Sequence, residues 1–331
     1  MSKIVVTGGL GYLGSVLVKH LADRGNEVVV VDNGLVRRMP SDTERIRHVY
    51  GDVREPAEWE EALRGASGVV HLAAIVGDPA CDLDHELAWD TNYLGTIRLA
   101  EACGRAGVRR LVFASTCGTY GVSRGETADV LSPLRPRSVY AETKVRAEHY
   151  LLSRRSDDFA PSILRFATVY GLSPRMRFDL AVNIMTAQAV LERKVTVHGG
   201  RQWRPFVHVR DAAAAATLAL AAKPAREAEI HNCGSDAENY SLAEVGWTIQ
   251  QEVGDVELDI LEGIQDPRDY RVGFAKTERA LGFRPNHRLI DGIREIKNAV
   301  RAGEYRDFTS TRYSDFLIVR QMLAAVTRLA S

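Results

Sequence analysis

A doubly wound α/β fold, with a parallel sheet and a smaller α/β substrate domain interleaved in it, is what this 331-residue sequence predicts. Three observations lead there. Short apolar runs alternate with helix-period segments through the first half. A glycine-rich turn joins the first run to the first helix. The second half keeps helices and short strands but loses the strict alternation.

In order, residues 3–7, 27–31, 47–50, 68–72, 110–115 and 162–166 read as strands. The spacing predicts helices over 12–24, 56–64, 84–106 and 138–154 between them. Such alternation implies a sheet covered on both faces, with ligands outside the carboxyl ends of its strands. Further helices are expected at 179–192, 210–222, 241–253 and 289–301, separated by Pro and Gly breaks. The expected division gives 1–171 to a nucleotide-binding domain, with 205–228 returning to it. Residues 172–204 and 229–331 then form the smaller substrate-binding domain. The alanine run at 212–216 reads as a helix packed closely on its neighbours.

Composition narrows the function classes. Hydrophobic residues make up 45% and charged residues 26%, which suits a protein with a sizeable core. Lys plus Arg and Asp plus Glu are equal at 43 each, so no net field draws the chain to nucleic acid or a membrane. Any anionic ligand must be held by local arginines. No apolar run reaches membrane-spanning length. Cys81, Cys103, Cys117 and Cys233 show neither metal-site pairing nor disulfide density. The expectation is four reduced thiols, no metal and a cytoplasmic location. Met1-Ser2-Lys3-Ile4 enters a strand pattern at once, so no signal peptide is expected.

The first strand runs into Thr7-Gly8-Gly9-Leu10-Gly11-Tyr12-Leu13-Gly14. Gly8 permits a tight turn, Gly11 a close approach to a pyrophosphate, and Gly14 close packing of the helix on the sheet. Asp32 ends the second strand, where a carboxylate accepts from ribose hydroxyls and repels a 2′-phosphate. That favours NAD over NADP. Arg37 and Arg38 follow, either as a solvated loop or as a site for the extra phosphate. Gly51-Asp52-Val53 can meet the adenine, and His71-Leu72-Ala73-Ala74 can let a cofactor lie against backbone. Ordinary strand-end chemistry explains both segments equally well.

Tyr140 and Lys144 stand at i and i+4 on one predicted helix face. An ammonium beside a phenol favours the phenolate, and lowering its pKa by about three units takes roughly 4 kcal/mol. Such a tyrosine can take or return a hydroxyl proton. The alternative is a surface Tyr–Lys pair on an ordinary helix.

With these motifs in place, the chain resembles the extended short-chain dehydrogenase/reductase family, specifically its NAD-dependent nucleotide-sugar epimerases and dehydratases. The resemblance runs to about residue 302. Besides the segments above, Asn92-Tyr93-Leu94-Gly95-Thr96, Phe113-Ala114-Ser115-Thr116, Tyr120-Gly121 and Leu164-Arg165 carry it. So do Val169-Tyr170-Gly171, Arg204-Pro205-Phe206-Val207-His208-Val209 and Asn232-Cys233-Gly234-Ser235. It implies a Rossmann-type nucleotide domain. By position, Thr116 bonds the reacting sugar oxygen, Tyr140 is the acid/base, and Lys144 also holds the nicotinamide ribose. Cofactor contacts carried over are Gly8, Gly11, Tyr12, Leu13, Gly14, Asp32, Asn33, Asp52, Val53, Leu72, Ala73, Ala74 and Ser115. Asn92 is implied as a buried polar support beside them. A nucleoside-diphosphate sugar is implied between the domains, near Thr116, Thr168 and Asn183, with its diphosphate held by Arg204 and Arg268. The family further implies a homodimer through the helices near 84–106 and 138–154.

Departures narrow the chemistry. The 4,6-dehydratases of the family carry Asp-Glu after the catalytic Thr, where this chain has Cys117 and Gly118. Enolising epimerases carry a catalytic Cys two residues after the Ser/Thr. Cys117 is one residue after, and strand alternation turns it to the other face. Thr168 stands where many members have Asn, and Gly263 where they have a phosphate-binding Arg. The leading expectation is a C4 epimerase. A ketoreductase or dehydrogenase on a nucleotide-linked deoxysugar is the alternative, and a catalytically silent NAD-binding regulator the third. Residues after 302, with apolar positions near helical spacing over 313–329, exceed the fold's needs. They either cover the substrate cleft or join a partner subunit.

Overall fold

In the first half of the chain the strands are β1 (Lys3–Thr7), β2 (Glu27–Asp32), β3 (Ile46–Tyr50), β4 (Gly68–His71), β5 (Arg110–Thr116), β6 (Val122–Ala128) and β7 (Ala160–Phe166). The helices among them are α1 (Tyr12–Asp23), α2 (Asp78–Cys81), α3 (His85–Trp89), α4 (Gly95–Arg105) and α5 (Val139–Ser153). This computed structural model describes residues 2–223, 229–261, 263 and 266–330. The second half adds β8 (Thr168–Tyr170), β9 (Lys194–His198), β10 (Trp203–His208), β11 (Glu229–Cys233), β12 (Asn239–Ser241), β13 (Glu257–Leu261) and β14 (Asp269–Val272). Its helices are α6 (Ala181–Leu191), α7 (Val209–Ala221), α8 (Leu242–Val253), α9 (Ala275–Leu281), α10 (Leu289–Arg301) and α11 (Asp315–Ala330).

Seven strands form one parallel sheet in the order β11-β7-β5-β4-β1-β2-β3. Val5, Val6 and all four valines of β2 are fully buried because helices cover both faces. Strand order reverses between β1 and β4, which opens a crevice at their carboxyl ends. Helix α7 lies against α1 through its alanines, whose small side chains allow close helix approach. Smaller sheets, β12-β10-β8, β13-β9 and β14-β6, build the second layer beside the crevice.

Several elements differ from the sequence reading. The stretch expected as a helix over 56–64 forms two 3₁₀ turns, Pro56–Glu58 and Glu60–Leu63. Trp59 interrupts it with φ −139°, because its ring is buried and its indole N–H donates to Asp52 O at 2.6 Å. The predicted 84–106 helix contains a π-helical turn at Asp90–Leu94 that sets Asn92 inward. The return to the large sheet runs beyond 228, since β11 is its edge strand, while β10 belongs to a small sheet. The end of the 205–228 segment, at 224–228, lies outside the described residues. No helix among the described residues is long and apolar enough to cross a membrane.

Candidate active site

A cavity of about 580 Å³ occupies the crevice, running from the glycine turn to Arg204 and Arg268. Gly8 has φ +73°, and a Cβ there would stand 2.5 Å from the Ala73 backbone nitrogen. Only glycine lets the turn meet the β4 loop this closely. A Cβ on Gly14 would collide with Gly8 O, so α1 starts directly against the turn. Gly11 is the N-cap of α1 and offers no side-chain cap, so the first turn presents free N–H groups to the cavity. This cradle fits a dinucleotide pyrophosphate.

Asp32 lies at the end of β2 with its carboxylate accepting from Leu10 N (3.0 Å) and Gly34 N (2.9 Å). Burial pushes its pKa up, and those two N–H groups oppose the shift. Leu35 and Val36 face the cavity, whereas Arg37 and Arg38 are exposed and do not line it. The Asp52 carboxylate is gripped by Arg54 through two 2.9 Å bonds and receives Asn33 Nδ2 at 3.1 Å. Val53, Leu72, Ala73 and Ala74 complete this end, with Leu13 and Tyr12 opposite. The Tyr12 phenol donates to Gly171 O at 2.6 Å, fastening α1 to the loop after β8.

Deeper in the crevice, β5 brings Ser115 and Thr116 to the cavity, and α5 brings Tyr140 and Lys144. Helix α5 is set by its N-cap, as Ser138 Oγ accepts from Ala141 N (3.2 Å) and donates to Asp78 (2.6 Å). Thr116 Oγ1 accepts from Gly118 N at 3.0 Å. The Ser115 hydroxyl donates to Glu148, which pairs with Arg165 at 2.6 Å beneath the site. Lys144 Nζ donates to Ala114 O (2.9 Å) and sits 4.8 Å from the Phe113 ring centre. Burial pushes Lys144 down to about 8.

The phenolate expectation is corrected here. Lys144 Nζ is 5.8 Å from the centre of the Tyr140 ring and is committed to Ala114. Burial pushes the Tyr140 phenol well above its ordinary range, and Cys81 and Asp78 add to this. Desolvation outweighs a cation at that distance, so Tyr140 is protonated at neutral pH.

Arg204 and Arg268 line the far end, yet carboxylates already meet them. Asp266 lies 2.8 Å from Arg204 Nη2 and accepts two bonds from Arg268, while Asp78 pairs with Arg268 Nη1 at 2.5 Å. Thr168 also lines the cavity. Two predicted residues do not line it. Asn183 is buried as a brace, accepting from Gly171 N (3.1 Å) and donating to Arg177 O (2.9 Å) and Tyr12 Oη (3.2 Å). Its amide is spent on two backbone groups and the Tyr12 phenol, which corrects the expected substrate contact. Asn92 holds the Ile75 peptide from both sides, at 2.8 and 3.0 Å, and so fixes the loop behind the cavity wall without touching the cavity.

Cys117 is buried with its thiol donating to Arg165 O at 3.2 Å, and burial pushes its pKa far up. An inert thiol results. The sequence reading missed Asp78, Arg175, Arg177 and Asp315, all of which line the cavity. The signal for two of them was the alternation Arg175-Met176-Arg177-Phe178-Asp179, charge and apolar in turn, in a segment placed between a strand and a helix. Among the described residues, no group of three or more His, Cys, Asp or Glu could hold a metal ion.

A glycine cradle at the strand-order reversal, with Thr116, Tyr140 and Lys144 at its inner end, defines a dinucleotide-dependent enzyme of the short-chain dehydrogenase/reductase type. The chain belongs to the NAD-dependent epimerase/dehydratase family, whose model matches residues 4–234. Its cofactor is NAD. It is 30% identical over 306 residues to a UDP-glucose 4-epimerase of Streptomyces lividans, covering 86% of this chain and 92% of that one. The solved Thermus thermophilus UDP-glucose 4-epimerase complex with NAD is 32% identical, with TM-score 0.77, over 90% of this chain and 99% of the other. TunA, described as an NAD-dependent NDP-hexosamine 5,6-dehydratase of tunicamycin biosynthesis, is 27% identical with TM-score 0.82, covering 94% and 100%.

Asp32 is expected to set the cofactor choice. Calorimetric titration is expected to give NAD an affinity at least about tenfold above NADP, through carboxylate repulsion of the 2′-phosphate. Asp32→Asn should narrow the ratio. Equal binding of the two by the wild-type chain would shift control of the pocket to Arg37 or Arg38.

Proposed function

We propose that this protein epimerises a nucleoside-diphosphate sugar at C4, with UDP-hexoses as the first candidates. The reading is carried by Thr116, Tyr140 and Lys144 lining one cavity together with Arg204 and Arg268, the latter joined through Asp78 to the Ser138 cap of α5. Similarity to UDP-glucose 4-epimerases supports it. Bound NAD supplies a hydride acceptor that can return what it takes. Thr116 holds the reacting sugar oxygen, and Tyr140 moves the hydroxyl proton. Lys144 braces the cofactor ribose and keeps a positive charge near the proton-transfer site. Arg204 and Arg268 hold the diphosphate as planar bidentate donors, exchanging part of their pairing to Asp266 and Asp78 for phosphate oxygens. Held at both ends, a keto sugar can turn within the site, so positioning supplies much of the rate. Thr116 is followed by Cys117 and Gly118 and not by an acid pair, which disfavours 4,6-dehydration.

The test is a panel of UDP-, dTDP-, GDP-, CDP- and ADP-sugars followed by proton NMR. One pair of C4 stereoisomers should interconvert without net NADH, and deuterium at C4 should be retained. Stoichiometric NADH formation or loss with every active substrate would promote the ketoreductase reading. The same proposal takes the protein as a cytoplasmic homodimer assembled through α4 and α5. Light scattering should then give twice the 36.6 kDa chain mass at micromolar concentration, and a monomer would contradict it.

A further inference from the structure

The loop after β8 and the C-terminal helix meet over the dinucleotide end of the cavity. Ser173 ties the loop to α1, since its hydroxyl donates to Tyr12 O at 2.7 Å and lies 3.1 Å from Ser15 Oγ. Arg175, whose backbone N–H donates to Ser173 Oγ at 3.2 Å, lines the same cavity as the first turn of α1, and its charge acts on the Asp32 carboxylate. Arg175 is only 4% exposed. Among the described residues, none accepts a hydrogen bond of good geometry from its three side-chain nitrogens, although Asp315 lies 2.5 Å from Nη2. Its neighbour Arg177 differs, being met by Asp179 (2.8 Å) and Asp315 (2.9 Å). A buried guanidinium with unmet donors is costly to folding unless a ligand meets them.

Asp315 opens α11, and its own N–H donates to Asp179 at 2.7 Å. The helix then lays Phe316 and Met322 along the cavity wall. Val319 packs with Ile75, Ala80 and Cys81 on the opposite wall. Helix α11 therefore bridges the 175–179 loop and the 75–81 segment across the cavity mouth.

We propose that Arg175 binds the pyrophosphate of the bound dinucleotide, and that α11, latched to it by Asp315, is a resident cover that retains the cofactor. The proposal rests on the assignment of the cradle to NAD. The N-terminus of α1 and the Arg175 fork then face one diphosphate from two sides, and both favour an anion. Asp315 is a positioning residue, fixing Arg175 through one nitrogen. Retention suits a reaction in which the hydride must return before the cofactor leaves.

The test uses full-length protein carrying labelled NAD, chased with unlabelled NAD, ADP or adenosine, and a separate titration with UDP. R175Q should weaken NAD and ADP about 30-fold and leave adenosine and UDP unchanged. D315N should speed NAD release at least tenfold. Should R175Q fail to fold, R175K, which keeps the charge and the Asp315 pair but loses the planar fork, should show the same contrast between ADP and adenosine. Equal losses for ADP and adenosine, or a loss confined to UDP, would overturn the pyrophosphate assignment. Unchanged NAD release from D315N would overturn the latch. Failure of the wild-type chain to bind NAD at all would overturn the cradle reading itself and the proposal with it.

Discussion

Tyr140→Phe is expected to lower turnover by at least about a thousandfold while leaving NAD affinity within twofold, the scale set by loss of a general acid/base. Tyr140 lines the same cavity as Thr116, and the substitution removes its hydroxyl alone. The ring keeps its packing beside Ile75 and Val319, so the fold and the cofactor cradle are untouched. Burial raises the Tyr140 phenol, so the proposed cycle, in which Tyr140 takes the sugar hydroxyl proton, requires the phenol first to release its own proton to solvent, a step favoured by positive charge near the site. Lys144 supplies that charge. Steady-state kinetics paired with NAD titration checks the split between turnover and binding. Wild-type turnover by the variant would remove Tyr140 from the mechanism.

Lys144→Met is expected to abolish turnover and yet make the protein more stable at pH 7. Burial lowers Lys144 from 10.5 to about 8, so folding carries a penalty for keeping it charged. That difference corresponds to about 3 kcal/mol, from which the lost bond to Ala114 O takes back about 1 kcal/mol. The sign follows from proton counting. Between pH 8 and 10.5 the unfolded chain binds a proton that the folded chain releases, so wild-type stability from this group rises with pH across that window. Below pH 8 the penalty is complete. Urea unfolding should thus show the Met variant about 2 kcal/mol more stable at pH 7, with the gain shrinking toward pH 10.5. Equal or lower stability at pH 7 would show that the ammonium is compensated by the fold and not held at a cost.

What the sequence determined by itself is whatever depends on local spacing. The valine runs of β1 and β2, the glycine turn leading into α1, and the Tyr140–Lys144 step on α5 are all legible within a few residues. Strand period, positive φ and helical turn are short-range constraints, and they place the parallel sheet, the glycine cradle and the Tyr140–Lys144 pair. Tertiary structure alone decided the rest. Trp59 broke an expected helix because its indole found Asp52. Asn183, on a predicted interdomain helix, turned inward as a brace because Gly171 and Arg177 needed its amide. The arginines expected to hold a diphosphate came already matched to Asp266 and Asp78, and Arg175 met a carboxylate from the far C-terminal helix. Apart from the pairing of Arg268 with Asp266 two residues before it, no local pattern encodes such pairings. A charge spends its field on whichever partner the folded chain brings within a few ångströms, and that partner is chosen by packing between segments remote in sequence.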